Sequence, residues 1–255
     1  MAVKIISDIH GAYGSMRDQL EQDDIAVLLG DYLNLIDFRT LDGILAQVYS
    51  RDEVVRALAI MASKDKDMAR RQIREVIGGS PEKGERVREL VMESYQEFFA
   101  GIPCKCFMLY GNTDSPEAMR ALAHGNVEIV EAGVVEVDGQ QFAMVSGSPH
   151  SPWNVGLPGE MPTDRYDSLV ASLGPADVLC THYPPAIGDL TWDTVASRDE
   201  VGSPATLAYI EEYSPAYHYF GHVHSPRASR VVHGRTSVIN VGYFRELGTA
   251  FVHPA

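Results

Sequence analysis

Short apolar runs, each stopped by a glycine or a cluster of polar residues, recur along the whole chain. Val3-Lys4-Ile5-Ile6 ends at Ser7-Asp8-Ile9-His10-Gly11, Ile25 to Leu29 ends at Gly30-Asp31, and Cys104 to Tyr110 ends at Gly111-Asn112-Thr113-Asp114. Asp177 to Cys180 and Tyr217 to Phe220 end in the same manner, at Thr181-His182 and at Gly221-His222-Val223-His224. Runs so short, with so little polar alternation, predict strands buried on both faces, as in the parallel sheets of α/β proteins. Helical stretches predicted from Asp164 to Leu173 and from Pro204 to Glu212 lie among them. Val134 to Val137 and Gln141 to Val145 flank Asp138-Gly139 and predict a β-hairpin. The runs Arg227 to Val232, Ser237 to Val241 and Thr249 to Val252 read as a terminal antiparallel set. Ser146 to Trp153 is too rich in Pro, Gly and Ser for regular structure.

Residues 37–101 have a different character. Leu41, Ile44, Leu45 and Val48 recur at helical spacing, and Ser50 with Glu53 forms a capping box ahead of Val54, Leu58 and Met61. After Gly78-Gly79, Ser80 and Pro81 open a further helix whose inner stripe is Val87, Leu90, Val91, Ser94 and Phe98, stopped by Gly101 and Pro103. The chain is thus expected to form one domain over 1–255 with a helical insertion at 37–101. Mixed charges along the insertion favour a solvated excursion over a cap on a site or a surface for homo-oligomers.

The net charge of −14 sharpens this picture. Residues 51–100 are balanced, with 10 basic and 10 acidic side chains, so the remaining 205 carry the whole excess, 11 basic against 25 acidic. No basic stripe is present, which argues against long nucleic acid as a partner. No run approaches the ~20 apolar residues of a membrane span, and the N-terminus has no signal-peptide pattern, so a cytoplasmic protein without membrane attachment is expected. Cys104, Cys106 and Cys180 lack a CxxC spacing and read as packed thiols.

The candidate chemistry sits where the apolar runs stop. His222 and His224 lie one residue apart, which suits two neighbouring metal ions, and carboxylates arrive after other strands in Asp8, Asp31 and Asp114. On an extended segment Asp8 and His10 would point the same way and could share one ion. Taken alone, an Asp capping the helix after Gly11 is the plainer reading of that pair. Gly30 permits close approach next to Asp31, at the strand end where α/β sheets bind ligands. Asn112 lies just before Ser115-Pro116, a helix start that favours phosphate.

In order, Asp8-Ile9-His10, Gly30-Asp31, Gly111-Asn112-Thr113-Asp114, Thr181-His182 and Gly221-His222-Val223-His224 resemble the motif blocks of the calcineurin-like metallophosphoesterases. The resemblance implies an α/β fold, a sandwich of two mixed β-sheets flanked by helices. It implies a first metal held by Asp8, His10 and His224, a second held by Asn112, His182 and His222, and Asp31 bridging them. The mixed nitrogen and oxygen donors suit two divalent ions of Mn, Fe, Zn, Ni or Co. Two such ions can activate a bridging hydroxide for in-line attack on phosphorus.

One block departs from the family pattern. Many members carry histidine where this chain has Thr113, with the next acidic residue, here Asp114, orienting it. Thr113 cannot act as a general acid near neutrality. The chain is in this respect similar to branches with a non-His residue there, among them bacterial and archaeal phosphodiesterases and the lipid A pathway pyrophosphatases. The latter place their helical insertion after the Gly-Asn block instead of before it. His150 and Tyr183 are candidate replacement donors, while His124, His218, His233 and His253 receive no role. Trp153 and Trp192 could stack on a ring, although packing under a loop is the plainer expectation. The resemblance implies a hydrolase of small phosphoesters, foremost phosphodiesters, with phosphomonoesters or nucleotide pyrophosphates next. A non-catalytic scaffold of the same fold is the rival, and the intact ligand positions argue against it.

Overall fold

Val3-Lys4-Ile5-Ile6 forms β1 (Val3–Ile6) because alternate side chains find apolar partners on both faces of a sheet. In the computed structural model, which describes residues 1–37, 40–61, 68, 71–72, 80–154 and 156–254, β1 pairs in parallel with β2 (Ile25–Leu28). The parallel series continues to β3 (Lys105–Met108) and β4 (Val127–Ile129). The second sheet holds the hairpin β5 (Ala132–Val137) and β6 (Gln140–Val145), then β9 (Val178–Thr181), β12 (Tyr217–Phe220), β14 (Thr236–Asn240) and β13 (Arg230–His233), in the order β13-β14-β12-β9-β6-β5. Each sheet has a parallel centre and an antiparallel edge, so both are mixed. Val3, Ile5, Val27, Leu29 and Phe107 of the first sheet pack against Phe142, Met144, Val178, Cys180 and Tyr219 of the second. The outer faces, through Ile6, Leu28, Met108 and Leu179, pack against helices. A separate short ribbon joins β10 (Trp192–Asp193) to β11 (Arg198–Asp199).

Parallel pairing brings the C-terminal ends of the central strands to one edge of each sheet. Ile6 lies opposite Leu28, and Leu28 opposite Met108, so the loops after β1, β2 and β3 emerge side by side. Tyr219 lies opposite Cys180, which aligns the loops after β9 and β12. The helices begin largely as the sequence predicts. Ser80 caps α4 (Pro81–Ala100) and Ser115 caps α5 (Pro116–Leu122), each accepting from a backbone N–H three residues on, with proline at the first helical position. Ser50 and Glu53 close the capping box of α3 (Arg51–Met61) in both directions, Glu53 Oε2 accepting from the Ser50 N–H at 2.8 Å. The inner stripe of α4 is wider than expected, since Tyr95 and Phe99 are buried along with Leu90 and Phe98. The other helices bounded within the described residues are α1 (Tyr13–Gln19), α2 (Ile44–Val48), α6 (Thr163–Ala171), α7 (Gly188–Thr191), α8 (Pro204–Tyr213) and α9 (Phe244–Leu247).

Four expectations are corrected. The terminal strands form only part of the expected antiparallel set: β13 and β14 pair antiparallel, but β15 (Phe251–Val252) crosses to the first sheet and pairs antiparallel with β1. Leu41 lies outside α2, with φ of 59°, because the chain turns there before the helix begins. Within 146–153, Ser148–Pro149 forms the short strand β7, which pairs with β8 (Glu160–Met161). Asp8 and His10 do not lie on an extended segment; both backbones are left-handed, with φ of 57° and 41°. Gly78-Gly79 lies outside the described residues. No helix among the described residues is long and apolar enough to cross a membrane. Cys104, Cys106 and Cys180 are free and buried, as expected of packed thiols.

Candidate metal centre

The loop after β1 zips onto the loop after β2. Asp8 N–H donates to the Gly30 carbonyl and His10 N–H to the Asp31 carbonyl, each at 3.0 Å. Asp31 and His222 repeat the left-handed turn, with φ of 57° and 67°. Asp and His are among the few residues with a side chain that adopt this region readily, so the chain can kink at a strand end and still present a ligand. Close backbone approach does the rest. A Cβ on Gly111 would lie 2.8 Å from Asp31 Cγ, and one on Gly221 would lie 2.6 Å from Ser7 Cβ and closer still to the Asp8 carboxylate.

Two donor groups result. Asp8 Oδ1 lies 3.3 Å from His224 Nε2 and 3.9 Å from His10 Nε2, and the two imidazole nitrogens are 3.3 Å apart. On the other side Asn112 Oδ1 lies 3.1 Å from His182 Nε2 and 2.9 Å from His222 Nδ1. Between them stands Asp31, whose Oδ2 is 3.7 Å from His10 Nε2 and 3.6 Å from His182 Nε2. Its other oxygen accepts from both the N–H and the hydroxyl of Thr113 at 2.9 Å, so Oδ2 alone faces the two groups. All seven residues expected as ligands therefore converge, across as many as 214 residues of chain.

The protonation of His10 and His182 suits cations. His10 and His182 donate from Nδ1 to the carbonyls of Leu33 and Leu29, at 3.0 and 3.1 Å, which turns their Nε2 lone pairs inward. Burial lowers the pKa of both, keeping them neutral as ligation requires. His222 is oriented the other way: burial would lower its pKa, but the Glu200 carboxylate 3.5 Å from Nε2 raises it and leaves Nδ1 to Asn112. Burial opposes ionisation of Asp8 and Asp31, yet the surrounding imidazoles hold both carboxyls below their usual range. Facing nitrogen lone pairs and carboxylates at these distances repel unless a cation lies between them, so the residues fit a pair of metal ions.

The other expected site residues are placed differently. Asp114 is fully buried, and the Thr113 hydroxyl donates to Asp31 and not to it. Its carboxylate accepts from the N–H groups of Asp31 (2.7 Å), Gly111 (2.8 Å) and Tyr32 (3.0 Å) and from the Tyr95 hydroxyl (3.2 Å). Burial and the Asp31 charge push it up to about 7 against those donors. It ties the loops after β2 and β3 to α4. His150 is exposed and does not line the cavity over the centre, and Tyr183 donates its hydroxyl to the Glu200 carbonyl. Trp153 donates to the Asp199 carbonyl at 2.7 Å under the Arg198 guanidinium, Trp192 lies beside Arg227, and neither is among the residues that line the cavity.

Sequence reading missed Glu200, Tyr243 and Arg245. Tyr243 stacks on His224 at 4.0 Å between ring centroids, and Arg245 donates to the His10 carbonyl at 2.6 Å. None carries a local motif, since each meets its ligand only through the tertiary fold. The centre opens into a cavity of about 910 Å³. Where the sequence favours a solvated excursion at 37–101, Leu45 of α2 and Val87 and Val91 of α4 form part of the cavity wall.

A protein-family model described as calcineurin-like phosphoesterase matches residues 1–226. One crystal structure shares 20% identity with the chain at a TM-score of 0.59, covering 96% of this chain and 91% of the other. The protein TT1561 of Thermus thermophilus shares 11% identity at a TM-score of 0.52, covering 98% and 97%. These likenesses concern the fold. No curated protein matches the sequence.

Proposed function

Because the chain belongs to the calcineurin-like phosphoesterase family, we propose that it hydrolyses phosphoric esters at a two-metal centre, with phosphodiesters as its preferred class. The observation that carries this reading is the single inward oxygen of Asp31, nearly equidistant from His10 and His182, with a complete donor group on either side. Asp8, His10 and His224 would hold one ion and Asn112, His182 and His222 the other, drawn from Mn, Fe, Zn, Ni or Co. When bound, such a pair supplies a nucleophile at neutral pH and charge stabilisation at phosphorus.

The protein's own groups set the remaining terms. Thr113 clamps one oxygen of Asp31 so that the other stays on the midline. Its hydroxyl is thereby committed, as is that of Tyr183 to Glu200, and His150 stands outside the cavity. None of these three is poised to protonate a leaving group, which supports a preference for esters whose alcohol is already acidic. The two arginines on the cavity wall, Arg198 and Arg88, are paired with Glu200 and Glu85. A monoester dianion would gain little from them, which favours the singly charged diester.

Reconstitution with Mn²⁺ followed by elemental analysis and assay on bis(4-nitrophenyl) phosphate tests the reading. Two ions per chain with turnover are expected, and Asp31→Ala should lose both. One ion in the wild type, or two retained in the variant, would overturn the bridging assignment.

A further inference from the structure

The cavity over the centre is much larger than a phosphoryl group needs. At about 910 Å³ it lies near the top of the ~300–1,000 Å³ range of small-molecule sites. Its lining joins His10, Asp31, Asn112, His222 and His224 to the apolar side chains of Leu35, Ile36, Leu45, Val87, Val91 and Leu157. The six apolar residues come from the loop after β2, from α2, from α4 and from the segment before β8. All six are only half-buried, so apolar surface faces the cavity from several sides.

Several polar groups on this wall are already engaged, and the exposed Glu117 carboxylate offers an acceptor but no donor. Ser115 Oγ accepts from the Ala118 N–H as the cap of α5, Asn34 donates to Asp42, and Asp37 pairs with Arg245. A sugar or base lodged here would find few unengaged hydrogen-bonding partners, whereas a hydrocarbon chain needs none. Apart from Tyr243, which is already stacked on His224, the apolar side chains named on the wall among the described residues are not aromatic.

We propose that the substrate is a phosphoester carrying an aliphatic chain, which lodges between α2, α4 and the 156–158 segment while the phosphoryl group meets the metal ligands. The inference rests on the hydrolase reading above and names its substrate class. It also gives the insertion a task, as one wall of the chain-binding cavity.

The test is a series of alkyl 4-nitrophenyl phosphodiesters, methyl through octyl, on the Mn²⁺-reconstituted protein, paired with calorimetric binding of the matching alkylphosphonates. Burial of each methylene should raise kcat/KM and lower Kd about fourfold until the cavity is filled. Val91→Lys and Leu45→Lys should flatten both slopes. Turnover with rates and Kd values independent of chain length would overturn this inference and leave the two-metal reading standing. Absence of turnover from every ester would overturn the hydrolase reading. Calorimetry would then still decide whether the cavity holds a chain: a length-dependent Kd supports it, and a flat one overturns it.

Discussion

Asp114→Asn should destabilise the scaffold rather than act on the chemistry directly. In the native carboxylate, Oδ2 accepts from the Asp31 and Gly111 N–H groups and Oδ1 from the Tyr32 N–H and the Tyr95 hydroxyl. An asparagine amide keeps one acceptor oxygen and turns its NH₂ towards two donors. Each buried donor left unpaired costs about 1–3 kcal/mol, so the pair amounts to about 2–6 kcal/mol before relief of the burial penalty and of the Asp31 repulsion, which raise the Asp114 pKa, is set against it. That is a large part of the ~5–15 kcal/mol that holds a domain folded. Tyr95→Phe is the internal reference: it removes one donor to Asp114 and strips the Ser115 N–H of its acceptor at 2.8 Å, for about 1–3 kcal/mol. Urea unfolding of chelator-treated protein at pH 8 separates these costs from metal binding. Asp114→Asn should lose more stability than Tyr95→Phe, and its metal stoichiometry should fall because the Gly111 and Asp31 loops lose their common anchor. A variant as stable as the wild type that lost only kcat would refute this account and restore Asp114 as an orienting catalytic carboxylate.

Gly221→Ala should lose metal at the Asp8, His10 and His224 side first, because the new Cβ has to displace Ser7 and the Asp8 carboxylate; full retention of two ions would count against the close approach. Thr113→His should flatten the dependence of rate on leaving-group pKa, and a dependence already shallow in the wild type would mean that another group donates the proton. His218 is fully buried, and because Thr181 Oγ1 is directed at the Tyr183 carbonyl, the imidazole donates from Nε2 and leaves Nδ1 without a partner. Burial takes its pKa from 6.5 to about 3. The unfolded chain therefore takes up a proton below 6.5 that the folded protein refuses until about 3. Stability is complete above 6.5 and falls through that window, by up to about 5 kcal/mol. Denaturant titrations of wild type and His218→Gln across that range should diverge as pH falls; parallel curves would show that His218 is protonated in the fold.

Much of the centre is legible in the sequence because each ligand follows a local signal, an apolar run that stops at a glycine or a polar turn. Five such stops hold all seven ligand positions, and parallel pairing places them together almost as a matter of topology. The caps at Ser50, Ser80 and Ser115 are equally local, needing only the residues of the first helical turn. What the sequence hides depends on distant convergence. Glu200 orients His222 from a loop between β11 and α8. Tyr243 and Arg245 reach back to the centre from beyond the last motif. The role expected of Asp114 fails to appear because its partners in space are backbone groups of two loops and the Tyr95 hydroxyl, not the side chain beside it in sequence. Strand β15 looks like part of a terminal meander until the open edge of β1 claims it.

The separation of 214 residues between His10 and His224 also carries a kinetic meaning. A ribosome adding ~5–20 residues per second takes about 11–43 s to cover that stretch. For that interval Asp8, His10 and Asp31 have left synthesis without the imidazoles that complete either donor group. A cation arriving then would meet loose carboxylates with no selectivity between hard and soft ions. Were these residues to hold metal, capture would follow release of nearly the whole chain, and the ion acquired would reflect what the finished pocket selects, not what the nascent chain first encounters.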